Sequence, residues 1–218
     1  MDLLKHRPWL VAVVMLLATL SIASKEYTAP KALPAKTYPA RDEHTDEKVT
    51  IAADPYDMPD KAATVFTLPY KEKDYLPIYL VITNDGDQPI SLTDMRIQLI
   101  TAQRDKIMPA SSDDIYRRLS NPRANDRPTF PMPLPRRKVK GTVSAKTMEE
   151  IQSAQFAAKA VEPHNTRSGF LFFDVQGIRS LAGSHVLFTS LHNAQGGDLM
   201  FFEIHLDKYF GTAAVESP

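Results

Sequence analysis

LPIYLVITNDGDQPISLTDMRIQLIT, residues 76–101, holds two apolar runs separated by a polar turn. In the first run Ile78, Leu80 and Ile82 recur at every second residue. In the second, Met95, Ile97 and Leu99 alternate with Asp94, Arg96 and Gln98, the period of a half-buried β-strand. Asn84, Asp85 and Gly86 tolerate positive φ, and Pro89 suits a position that donates no ladder hydrogen bond. The stretch therefore predicts a β-hairpin at the centre of the domain.

Downstream, three more segments carry strand signals: GFLFFDV (169–175), HVLFTSL (185–191) and LMFFEIHL (199–206). The Gly-bearing segment 177–184 and the polar segment 193–198, with its Gly196-Gly197 pair, separate them. In the last, Met200, Phe202, Ile204 and Leu206 alternate with Glu203 and His205, which predicts one buried face. Residues 105–108 are expected to add a short strand. Between these and the hairpin lie two helical signals. SSDDIYRRLSNP (111–122) has serines to cap, Asp113 and Asp114 at the positive end, Ile115 and Leu119 on one face, and Arg117 and Arg118 in the last turn before Asn121-Pro122. Thr147 and Glu150 have capping-box spacing, and Met148, Ile151, Ala154, Ala158 and Val161 predict a second helix to about Ala160, ended by Pro163.

Upstream, Val49 opens a predicted edge strand, 49–53, closed by Asp54-Pro55. Residues 25–48, KEYTAPKALPAKTYPARDEHTDEK, are rich in Pro, Ala and charge with little to bury, and are expected to form a disordered or polyproline-like spacer. Asp42, Glu43, Asp46, Glu47, Asp54, Asp57 and Asp60 make 42–60 acidic, a run expected to be solvated. Residues 1–24, MDLLKHRPWLVAVVMLLATLSIAS, place Lys5, His6 and Arg7 before an apolar run (9–23) that ends in small residues, the layout of a secretory signal peptide. As a helix that run would span about 22 Å, short of the roughly 30 Å hydrocarbon core, which favours cleavage over an uncleaved inner-membrane anchor formed by 9–23. Either way the domain is expected outside the cytoplasm, periplasmic or secreted, with the membrane touched only through this segment if it is retained.

Composition narrows the classes. The 218 residues suit one domain, 49–211, with an insert at 110–160 and a disordered tail at 212–218. Lys plus Arg (26) balance Asp plus Glu (26), so the overall field gives no reason to expect nucleic acid. The absence of cysteine removes disulfides, thiolate metal sites and a cysteine nucleophile.

With those residues in place, the chain resembles the telokin-like, immunoglobulin-type β-sandwiches of bacterial secreted proteins and lipoproteins. There a strand ends in an Asn-x-Gly-x-x-Pro-like turn, here Asn84, Gly86 and Pro89. A later polar turn leads into a Gly-bearing aromatic strand, here 162–175. The resemblance covers about 76–206 and implies an antiparallel immunoglobulin-like sandwich, mainly β, with two short inserted helices. It also implies a family whose members mostly lack catalytic residues. The chain departs from it in lacking a lipid-modified cysteine and in the long insert.

No Gly-x-Ser-x-Gly, Ser-x-x-Lys, His-Glu-x-x-His or phosphate-cradling loop occurs, so no catalytic residue and no cofactor is expected. Asp113-Asp114 is read as helix N-terminal charge. One alternative is a periplasmic copper binder, drawing on His164, His185, His192 and His205 with Met58, Met95, Met108, Met132 and Met200. Against it, Met95 and Met200 fit core positions, and the seven-residue spacing of His185 and His192 sends them to opposite faces of a regular strand. A second alternative is an accessory domain of a hydrolase or transport system. The preferred reading rests on Arg117, Arg118, Arg123, Arg127, Arg136, Arg137, Lys138 and Lys140, set against the single acid Asp126, with Phe130, Met132 and Leu134 spaced two apart among prolines. It is a non-catalytic binding or assembly module of the bacterial envelope that meets an acidic envelope protein, a phospholipid headgroup layer or the acidic segment of another copy.

Overall fold

A computed structural model describes residues 26–120, 145–199 and 201–212. The fold is mainly β and its ladders are antiparallel. The first sheet has the order β1 (Arg41–His44), β2 (Val49–Pro55), β3 (Tyr75–Asn84), β8 (Asn165–Asp174). The second has the order β10 (Phe202–His205), β9 (His185–Thr189), β5 (Arg96–Ile100), β6 (Lys106–Ile107), and a short ribbon pairs β4 (Ile90–Ser91) with β7 (Ala160–Val161).

The two runs of 76–101 do become strands, but not a hairpin. β3 pairs with β2 and β8, while β5 pairs with β6 and β9, so the chain crosses from one sheet to the other between Asn84 and Arg96. The turn that starts the crossing uses no positive φ at 84–86. It is held by the Asn84 side chain, which accepts from the Gly86 N–H at 2.9 Å and donates to the carbonyls of Gln88 (2.7 Å) and Val161 (3.1 Å). A Cβ on Gly86 would stand 3.1 Å from Asn84 Oδ1, so glycine serves here by leaving space.

β3 is buried along its whole length because both of its faces are covered. Leu76, Ile78, Leu80 and Ile82 point into an aliphatic core that also takes Val49, Ile51, Ile97, Leu99, Val186, Phe188, Phe202 and Ile204, and so joins the two sheets. Tyr75, Tyr79 and Val81 point the other way, into an aromatic core with Tyr56, Phe66, Tyr70, Phe170 and Phe172. The period-2 geometry of a strand sorts the neighbouring strands likewise: Leu171 and Phe173 face inward, Phe170 and Phe172 outward.

Helices close the aromatic side: α1 (Pro59–Ala63), α2 (Ser112–Ser120) and α3 (Ala145–Ala154), the last two through Ile115, Ile151 and Ala154. The short α4 (Asp207–Phe210) ends the described chain. α3 stops at Ala154, six residues before its expected end. The chain leaves the helix to lie along β8, where the Phe156 N–H donates to the Phe170 carbonyl at 3.0 Å. Gly169 permits that approach, since a Cβ there would sit 2.6 Å from Phe156 Cα.

Two expectations for the upstream region change. Residues 26–48 are not an open spacer: a 3₁₀ turn at Ala35–Thr37 buries Ala35, whose N–H donates to Thr83 Oγ1 at 2.8 Å, and β1 adds to the sheet. β2 is consequently an interior strand, between β1 and β3, and not an edge. The acidic run is engaged only in part: Asp54 pairs with Lys61 (2.5 Å), Asp57 with Lys71 (3.1 Å), and Asp42 accepts from the Glu203 N–H at 2.9 Å, while Glu43, Asp46 and Asp60 are exposed as expected. The N-terminal segment 1–24, Met200 and the tail from residue 213 lie outside the described residues. Among the described residues, no helix is long and apolar enough to cross a membrane.

Candidate functional site

The basic insert is rooted in α2 and α3. Ser111 caps α2, its Oγ accepting from the Asp114 N–H at 3.2 Å and donating to Asp114 Oδ2 at 2.7 Å, and Asp113 and Asp114 occupy the first turn. The capping-box pairing of Thr147 with Glu150 does not form. Glu150 is a buried residue of α3, and its carboxylate accepts from the N–H groups of Thr67 (3.2 Å) and Leu68 (3.3 Å) and from the Thr67 hydroxyl. That brace ties α3 to the loop carrying Phe66 and Tyr70. The two helices join where the Ser112 hydroxyl donates to Gln155 Oε1 and Gln155 Nε2 donates to the Ala110 carbonyl at 3.1 Å.

Of the basic residues expected to meet a partner, two are described. Arg117 is exposed, its side chain 72% accessible, with Asp114 3.5 Å away. Arg118 is not available for a partner. Its guanidinium forks onto Asp174 at the end of β8, with Nη1 donating to Oδ1 at 2.7 Å, and lies 4.8 Å from the Tyr75 ring centroid. Burial alone would raise the Asp174 carboxyl, but the Arg118 hydrogen bonds, the Gln176 N–H and the Arg118 charge hold it below the usual carboxylate range. A basic residue in the last turn of a helix is the common sequence pattern for both a free and a paired arginine, so nothing in 111–120 announced the pair. Arg123, Arg127, Phe130, Arg136, Arg137, Lys138 and Lys140 lie outside the described residues, as do Met132 and Leu134.

The aromatic core shifts its phenols. Burial, then the charge of Tyr79 and Glu150, pushes Tyr27 up to about 12, and burial followed by Glu150 raises Tyr70 further. An open pocket of about 310 Å³ lies beside it, lined by Pro59, Ala62, Phe66, Leu68, Tyr70 and Lys71.

The described histidines separate into three kinds. His44 stacks on the Phe202 ring at 3.9 Å between centroids and lies 3.6 Å from Asp42 and 3.8 Å from Glu47. His164 meets Asp87 at 3.0 Å and His192 meets Asp198 at 2.8 Å, each a single exposed carboxylate partner. His192 lies beyond the end of β9, after Ser190 with its positive φ, so strand parity does not relate it to His185. His185 and His205 stand directly opposite each other in the β9–β10 ladder, with ring centroids 5.5 Å apart. Glu203, two residues from His205 and therefore on the same face, completes a cluster that sequence spacing hid, because its members are brought together by cross-strand register. Met95 packs against the aliphatic core, as its alternation indicates.

No protein-family model, no curated protein and no solved structure matches this chain.

Proposed function

We propose that this chain is a non-catalytic binding or assembly module that works outside the cytoplasm, built on an immunoglobulin-like sandwich, with its basic segment meeting an acidic protein of the cell envelope. The observation that carries the reading is the paired root of that segment. The ends of residues 121–144 emerge from α2 and α3, which are joined to each other and braced by Glu150 and the Arg118–Asp174 pair. A neutral host that carries seven basic residues between Arg117 and Lys140 besides the committed Arg118, on a segment whose flanking helices are tied into the fold, offers a local positive charge for an acidic partner.

The strand order supports the immunoglobulin-like assignment. β2-β3-β8 follows the A-B-E order of such sandwiches and β10-β9-β5-β6 the G-F-C-C′ order, with β1 an added edge strand. The B-to-C step of that topology changes sheets, as the chain does between β3 and β5. A basic run ahead of 9–23 and the absence of cysteine are the features that favour export without a lipid anchor. Engagement of Asp42, Asp54 and Asp57 within the fold leaves the acidic run less free to receive another copy.

Pull-downs from an envelope extract test the reading, using wild type and a variant with Arg136, Arg137, Lys138 and Lys140 all changed to Gln. Wild type should capture an acidic protein at 0.1 M salt and release it towards 1 M, as the screening length falls from about 10 Å to about 3 Å. The variant should capture little. Equal capture by both proteins at both salt levels would overturn it, and retention on anionic vesicles alone would replace the protein partner by a headgroup layer.

A further inference from the structure

We propose that His185, Glu203 and His205 form a Zn²⁺ site with one open coordination position, a property independent of the basic segment. His185 Nε2 and His205 Nε2 both approach the same oxygen, Glu203 Oε1, at 3.5 and 3.3 Å. The three donor atoms lie within 4.8 Å of one another. A tetrahedral zinc with bonds of about 2.0–2.1 Å places its ligand atoms about 3.3 Å apart, so two edges of the tetrahedron are already present. The separations are too long for the charge-assisted hydrogen bonds, about 2.7–2.9 Å, that would otherwise explain them. His192–Asp198 at 2.8 Å and His164–Asp87 at 3.0 Å pair directly. His44 also stands off from its carboxylates, 3.6 Å from Asp42 and 3.8 Å from Glu47, but through opposite ring nitrogens, so its neighbours do not converge on one point as the three donors here do.

The donors are carried by regular strands. His185 and His205 are register partners, the Glu203 N–H is fixed to Asp42, and the Leu206 N–H donates to the Ser184 carbonyl at 2.9 Å beside them. Their backbones are thus preset, and closing the third edge requires only side-chain rotation. The His205 side chain is 61% exposed, which leaves the fourth position to water or an exogenous ligand. Two imidazoles and one carboxylate form a borderline donor set suited to Zn²⁺, unlike the thioether-rich set that favours Cu(I).

Calorimetric titration of Zn²⁺ into the untagged full chain should show one equivalent bound, and a saturating excess should raise the melting temperature by about 5–10 °C. His185→Ala and Glu203→Gln should each weaken binding at least tenfold, while a His164→Ala/His192→Ala double variant should bind within twofold of wild type. Melting in the presence of a chelator, expected to be the same for all forms within about 2 °C, separates lost coordination from lost folding. The Co²⁺-loaded wild type gives a second readout that needs no variant: an intense tetrahedral visible spectrum is expected. Binding unchanged in the triad variants, an equal loss in the His164/His192 variant, or a weak octahedral cobalt spectrum would each overturn the proposal.

Discussion

The core between the sheets and the core outside the first sheet are made of different materials. The inner one is mostly aliphatic, with Phe173, Phe188 and Phe202 among its members, and is drawn from alternate positions of strands in both sheets, with Ile78, Leu80 and Ile82 meeting Leu99, Val186 and Ile204. The outer one is aromatic, and many of its members arrive from irregular segments: Tyr27, Tyr38, Tyr56, Phe66 and Tyr70. Its rings pack edge-on and tilted, Phe66 on Phe170 at 4.6 Å and Tyr56 on Phe170 at 5.0 Å between centroids. Such pairs add about 0.5–1.5 kcal/mol each beyond the area they bury. Tyrosine also brings a polar tip, and Tyr79 uses its hydroxyl to tie Ser168 (2.8 Å) and the Pro30 carbonyl (3.0 Å), so the N-terminal segment is held to the sheet by the same side chain that fills the core. The inner core fixes the sheets to each other, and the outer one fastens loops and helices to a sheet.

If the aromatic layer were only a covering, truncating its centre would cost little. Phe170 touches Tyr56, Phe66 and Tyr79, and Phe170→Ala should destabilise by about 3–5 kcal/mol in denaturant unfolding, as much as Leu80→Ala in the aliphatic core at about 2–5 kcal/mol. A cost under about 1 kcal/mol for Phe170→Ala would break the equivalence. A smaller step isolates the polar tip: Tyr79→Phe should cost about 1 kcal/mol and speed proteolysis between residues 26 and 34, with the sheets intact.

The two cores also differ in their response to base. Burial disfavours the phenolate, so the folded-state pKa of Tyr27 (about 12) and those of Tyr56, Tyr70 and Tyr79 stand above the unfolded value near 10. Their contribution is complete below about pH 10. From there upward the unfolded chain releases protons first, and stability is lost as pH rises through the folded values. Tyr209, raised by burial and then by its hydrogen bond to Asp54, packs against the inner core and adds to the same window, so the aromatic core carries most but not all of this response. Ionisation of these buried phenols should therefore accompany loss of near-ultraviolet ellipticity, and their titration near 10 in a fully folded chain would contradict the burial.

The smallest expected effect sits where α2 meets β8. Asp174 is depressed, so its share of stability is present above the unfolded value near 3.9 and lost as pH falls from there through its lower folded value. Arg118→Ala should cost about 1 kcal/mol at pH 7, discounted for the partial exposure of Asp174, and flatten the acid limb of a melting-temperature profile.

Alternation and capping made several elements readable in advance. Arg96 and Gln98 outward with Ile97 and Leu99 inward, Ser111 before Asp114, and the aromatic run ending at Asp174 all follow from local periods. Three things were not readable. β3 and β5 each look like half of a hairpin, because alternation fixes which face is buried and leaves the partner open. β1 reads Arg-Asp-Glu-His, with little to bury, and is held by its ladder to β2 and by Asp42. The imidazole–carboxylate cluster joins residues twenty apart through register, a relation with no local trace.

β3 is the strand both cores share, and native-state hydrogen exchange tests that most directly. Amides of Tyr75–Asn84, Pro77 aside, are predicted to be the slowest in the chain and to exchange only by global unfolding, with those of α2 and α3 opening earlier at lower free energy. If β3 amides exchange faster than those of β9, whose outer face is partly open, the strand is not the shared element and the division into two cores fails.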